Sequence, residues 1–150
     1  MTYQDELLEK CGAHIRQILD LPVGPDKERR SRIAAAYCAA VMLDALDPSG
    51  PARTAIIDAV QASFAVGDGE MTKEEFEAVE LRVTRDIFSR TSGGMTIKLV
   101  DNIPLMLFTE YAPTALRMLF GRMKEIQPGA DRLHRLERDL RPLCPSSGTP

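Results

Sequence analysis

The stretch Leu7-Leu8-Glu9-Lys10-Cys11-Gly12-Ala13-His14-Ile15-Arg16-Gln17-Ile18-Leu19 decides the architecture. Leu7, Leu8, Cys11, Ile15, Ile18 and Leu19 recur at the spacing of one helix face, with the charges opposite. Leu21-Pro22-Val23-Gly24-Pro25 breaks this helix, and a second begins near Asp26. Its apolar set is Ile33, Ala36, Tyr37, Ala40, Val41 and Leu43. The alanines at 34, 35, 36, 39 and 40 predict close packing on more than one side. Asp47-Pro48-Ser49-Gly50-Pro51 is a dense turn signal. A third helix over 52–66 presents Ile56, Ile57, Val60 and Phe64.

Further along, Gly67-Asp68-Gly69 ends the third helix, and Thr72 with Glu75 reads as a capping box for the fourth. That helix carries Phe76, Val79, Val83 and Ile87 and stops near Ser92-Gly93-Gly94. A fifth runs from about Thr96 into Pro104, which must kink or divide it. A sixth starts around Pro113 with Leu116, Leu119, Phe120 and Met123 inward, and Pro128-Gly129 ends it. The last covers about 131–141 with Leu133, Leu136 and Leu140. The tail over 142–150 is expected to fray. No segment alternates with period two between hairpin turns. The expected fold is all-α: one domain over 1–150, a compact bundle of six or seven helices.

Composition agrees with a packed core. Of 150 residues 44% are hydrophobic, and 19 basic against 22 acidic side chains leave a net charge of −3. Disorder and dedicated nucleic-acid binding are both disfavoured by that balance. Aromatics are only 5%, with no Trp, which argues against a stacking platform. Cys11, Cys38 and Cys144 fit neither a zinc knuckle nor a disulfide framework. The N-terminus lacks the basic and apolar regions of a signal peptide, and no apolar run is long enough to span a membrane. A cytoplasmic protein is expected.

The catalytic inventory is thin, so an enzyme is the less expected class. His14 and His134 are the two histidines. Cys11 and His14 could touch a metal but are two ligands only. His14 reads as a boundary residue half covered by a neighbouring helix, and His134 as solvated. Gly93-Gly94 is too little for a phosphate loop.

The sharpest local motif is Gly67-Asp68-Gly69-Glu70-Met71-Thr72-Lys73-Glu74-Glu75-Phe76. Its second half looks like the end of an EF-hand loop, but Phe64 and Val66 occupy the first and third loop positions and offer no oxygen ligands. The helix, Asp-Gly, short loop and Glu-bearing helix resemble the core motif of the tellurite-resistance TerB-like helical domains. That resemblance implies calcium or magnesium held by Asp68, Glu70 and Glu75. Read from the residues alone, Gly69 supplies a backbone turn while Thr72 and Glu75 cap the next helix.

Two basic groupings and one apolar excess remain. Lys27, Arg29, Arg30 and Arg32 crowd the start of the second helix, where the dipole disfavours positive charge, and mark an anion- or partner-binding corner. Arg132, Arg135, Arg138 and Arg141 spiral round the last helix, with Asp131, Glu137 and Asp139 interleaved to pair with them. The first 90 residues have a charge balance of −5 and the remainder +2. Between Ile97 and Phe120 the apolar residues exceed what one helix face holds, which predicts a central hairpin. Some of Leu105, Met106, Phe108, Met118 and Phe120 are then expected at a self-association or partner surface. Taken together, these features favour a protein that acts by macromolecular binding, as an adaptor, inhibitor or regulatory subunit. A divalent-cation-binding stress-response domain is the alternative, and a ligand-binding or enzymatic bundle around His14 the third.

Overall fold

The computed structural model describes residues 2–91 and 97–145. Among them are seven α-helices and no strand, as the periodicity predicts. They are α1 (Tyr3–Leu19), α2 (Pro25–Leu46), α3 (Gly50–Gly67), α4 (Lys73–Arg90), α5 (Leu99–Leu107), α6 (Ala112–Ile126) and α7 (Ala130–Leu140). A short 3-10 turn, Arg141–Leu143, follows. No helix among the described residues is long and apolar enough to cross a membrane.

α2 is the axis of the bundle, packing against α1, α3, α5, α6 and α7. Its alanines explain how. Ala34, Ala35, Ala36 and Ala39 are completely buried, and their short side chains let several helices approach at once. α3 comes nearest at its end. A Cβ added to Gly67 would stand 2.5 Å from Ile33 Cγ1, so only glycine permits this crossing. Deeper in the core, Ile18, Met42, Ile56, Ile87, Leu116 and Leu136 are fully buried and draw on six different helices.

Local signals place the helix ends. Thr72 caps α4: its hydroxyl accepts from Glu75 N–H at 3.1 Å, and Thr72 N–H donates to Glu75 Oε1 at 3.0 Å. Thr2 and Asp5 form the same reciprocal box at α1, which the acidic N-terminus did not announce. Between α3 and α4, Gly69 adopts φ +78°, a left-handed conformation favoured by glycine, and so turns the chain. Pro104 lies inside α5, which ends one turn later, and Pro113 opens α6.

The end of the chain departs from expectation. Leu143 O accepts from Arg30 Nη1 at 2.8 Å, and the Cys144 thiol is buried, 3.7 Å from His14 O. The chain is therefore docked as far as Cys144 rather than frayed from Pro142. Residues 146–150, the rest of the expected tail, lie outside the described residues, as do Ser92, Gly93 and Gly94.

Candidate functional site

Two helix faces of equal spacing meet across a cleft. Pro25, Glu28, Arg29 and Arg32 form one face of α2; Lys73, Phe76, Glu77 and Glu80 form one face of α4. Each set follows i, i+3, i+4, i+7, so each presents a single stripe. The end of α3, Val66 to Gly69, closes one side, and Phe108, Glu110 and Tyr111 between α5 and α6 close the other. The cleft has a volume of about 1040 Å³. Small-molecule sites usually hold about 300–1,000 Å³, so this one lies just above that range.

An ion pair between the buried Arg32 and the half-buried Glu28 shapes its wall. Arg32 Nη1 donates to Leu107 O at 2.7 Å and Thr109 O at 3.0 Å. Its Nη2 donates to Glu110 O at 3.0 Å and to Glu28 Oε1 at 3.2 Å. Glu28 Oε1 in turn accepts from Ala112 N–H, at 3.1 Å. The guanidinium thus serves the carbonyl end of α5, while the carboxylate serves the amide end of α6. Each charge has the sign its helix terminus favours. Burial pulls the Arg32 pKa down and the Glu28 carboxylate opposes that pull. Four hydrogen bonds offset the cost of desolvating this charge.

The floor is aromatic. Phe76 and Phe108 are tilted rings with centroids 5.3 Å apart, and Arg32 Cζ stands 5.1 Å above the Phe76 ring. Tyr111 is exposed at the edge. Around this floor the rim is polar. Burial raises the pKa of Glu80, and the charges of Glu77 and Glu110 raise it further while Arg32 lowers it.

The structure therefore unites candidates that lay far apart in the chain. Arg29, Arg32, Asp68 and Phe108 all line the cleft. Other candidates lie elsewhere. Arg30 turns to Asp26, at 3.0 Å, and to Leu143 O. Arg32 is spent on backbone carbonyls, so of the three arginines at this corner Arg29 alone makes none of these backbone contacts, and it stands 3.6 Å from Asp26. Glu70 and Glu75 do not line the cleft, and Glu75 Oε1 is engaged by the Thr72 cap. No three His, Cys, Asp or Glu side chains are grouped for a metal among the described residues.

The proposed hydrophobic surface divides too. Met106 (6% exposed) and Phe108 (4% exposed) turn inward, because α5 is covered by α3, α6 and α2. Leu105 and Phe120 are half-buried and pack on the core, and Phe120 also faces α1 at Gly12. Only Met118 stays exposed. These five residues make no single patch.

Elsewhere, His14 is half covered, as expected, and its Nε2 donates to Glu137 Oε2 at 2.8 Å. Arg132 and Arg135 pair with Asp44 on α2 instead of with their own helix. Burial pushes the Cys11 thiol up to about 12 and raises Cys38 as well, so both are held protonated and inert.

Sequence reasoning missed Glu28, Phe76, Glu77, Glu80, Glu110 and Tyr111 as site residues. A signal existed for some of them. Both cleft faces mix charge with an apolar residue at helical spacing. Comparison with family models, with curated proteins and with solved structures finds no match for this chain.

Proposed function

We propose that this chain is a binding protein that holds a segment of a protein partner in the cleft between α2 and α4. The observation that carries the reading is a cleft with a polar rim, backed by the buried Phe76 and Phe108 rings and with Tyr111 exposed at its edge. Protein interfaces have that anatomy, with apolar anchors at the centre and charges around them. A wall held by Glu28 and Arg32 also supports it, because a preformed site loses little entropy on binding. Adaptors, inhibitors and regulatory subunits all act through such a surface.

Photo-crosslinking tests the reading. A benzophenone side chain in place of Tyr111, at the cleft edge, should form covalent adducts with a protein in the cells that make this chain. The same group in place of Tyr3, which is exposed on α1, should not. Equal labelling at both positions, or no adduct at Tyr111, removes the proposal.

A further inference from the structure

The cleft carries more negative charge than its own positive groups compensate. Glu28 and Arg32 neutralise each other at 3.2 Å, and Arg29 is 3.6 Å from Asp26. Asp68, Glu77, Glu80 and Glu110 line the cleft with no ion pair among the described residues. Lys73 is the remaining cation on the lining. Three of the carboxylates influence one another: the charges of Glu77 and Glu110 both bear on Glu80.

We infer that the occupant of the cleft is a basic, apolar segment of a partner protein, whose lysine or arginine heads meet Glu77, Glu80 and Glu110 while its apolar side chains cover Tyr111 and the small part of Phe76 and Phe108 that the cleft leaves uncovered. The inference rests on the docking reading and adds the partner's chemistry to it. A nucleic acid or an acidic segment would meet four carboxylates of its own sign. A bare metal ion would find no group of three ligands among the described residues and an aromatic floor that offers it no oxygen. A basic segment satisfies both parts of the surface. Its charge relieves the repulsion around Glu80, and its aliphatic stems and apolar neighbours cover the exposed Tyr111 ring. The cleft's length of two helical turns along α2 and along α4 suits a short helix or an extended peptide.

The test uses the full chain and two labelled synthetic peptides: a helical leucine–lysine peptide, and the same peptide with every lysine replaced by glutamate. Fluorescence anisotropy should show saturable binding of the lysine peptide, weakened by added salt, and none of the glutamate peptide. Combined Glu77→Gln, Glu80→Gln and Glu110→Gln should weaken binding about tenfold or more. Combined Glu6→Gln, Glu9→Gln and Asp20→Asn, which removes the same charge from α1 and its end, should leave binding within about twofold. The exposed single change Glu77→Lys should act in the same direction as the cleft triple. Circular dichroism confirms that each variant is folded. Equal loss in the cleft and α1 variants overturns the inference, as does a lack of preference for lysine over glutamate. A homodimer that the cleft triple dissociates also overturns it, because the occupant is then a second copy. Where Tyr111 crosslinks a partner but the two peptides bind alike, the charge assignment fails and the docking reading stands. Where Tyr111 captures no protein, the docking reading itself has failed.

Discussion

His14 on α1 and Glu137 on α7 join the first and last helices through one carboxylate, Nε2 to Oε2 at 2.8 Å. Arg141 donates to the same carboxylate twice, from Nη2 at 2.6 Å and Nε at 3.0 Å. Glu137 is almost fully buried, so these three donors replace its lost water.

Acid should therefore loosen this end of the bundle. The Arg141 hydrogen bonds, with His14 added, hold the Glu137 pKa down at about 2 from its ordinary 4.5. A depressed carboxylate pKa stabilises the folded state above the ordinary value, and the gain is lost as pH falls towards 2. The amount is of order 3 kcal/mol. Urea unfolding between pH 5 and pH 2, roughly the window those values define, should show the decline. Glu137→Gln should lower stability at neutral pH and flatten that slope. An unchanged slope would contradict the assignment.

Loss of the Arg32 guanidinium should be severe. Arg32→Met leaves three carbonyls without their donor and Glu28 half-buried without its cation. The expected cost is about 3–5 kcal/mol, measured by equilibrium unfolding. Glu28→Gln should cost less, because an amide oxygen still accepts from Ala112 N–H. A neutral result for Arg32→Met would mean that the α5–α6 connection is held by other contacts.

Two glycine substitutions should move stability in opposite directions. Gly67→Ala drives a methyl into Ile33 and should cost about 1–3 kcal/mol. Gly121→Ala, within α6 and with nothing near the added carbon, should raise stability by about 0.5–1 kcal/mol. Thermal melting of the pair reads both.

At the start of α4, Thr72→Ala should cost about 1 kcal/mol by removing the cap. Calcium or magnesium at millimolar concentration should leave the melting temperature of the wild type unchanged. A cation-dependent rise abolished by Asp68→Asn would assign Asp68 to a bound ion, since tight binding adds about 2.7 kcal/mol at a hundredfold excess over the dissociation constant.

Relief of charge at Glu80 should stabilise. Its pKa is raised, so ionisation at neutral pH works against folding, and the penalty disappears as pH falls through the raised value. Glu80→Gln should melt at or above the wild type at neutral pH and converge with it in acid. A clear drop in melting temperature would show that the carboxylate has a structural partner.

The helices were legible because each depends on its own neighbours in sequence. Ile15 and Ile18 repeat on one face whatever packs against them, and Thr72 finds Glu75 three residues away. The site was not legible in that way. Glu28 reaches Ala112, and Arg32 reaches Leu107, Thr109 and Glu110, across gaps that no local period encodes. The cluster of arginines at the start of α2 was visible as a conflict with the helix dipole. For Arg32 the resolution lay in the terminus of another helix, more than seventy residues away, while Arg29 and Arg30 are met locally by Asp26. Likewise Met106 and Phe108 read as surplus apolar residues until α3, α6 and α2 are seen to cover α5.

The cleft has one fixed jaw and one compliant jaw. α2 is packed by five helices and buries nine residues, while α4 rests on α3 and α5 and buries only Phe76, Val83 and Ile87 among the described residues. Local stability follows such differences, so α4 should exchange its amide hydrogens well before α2 does. On the proposed docking reading, the α2 wall is the preformed part of the site, and a guest too large for the cleft would displace α4 rather than α2. Side chains of different girth could therefore share one charge pattern, with discrimination residing in the sign of the guest rather than in its exact outline.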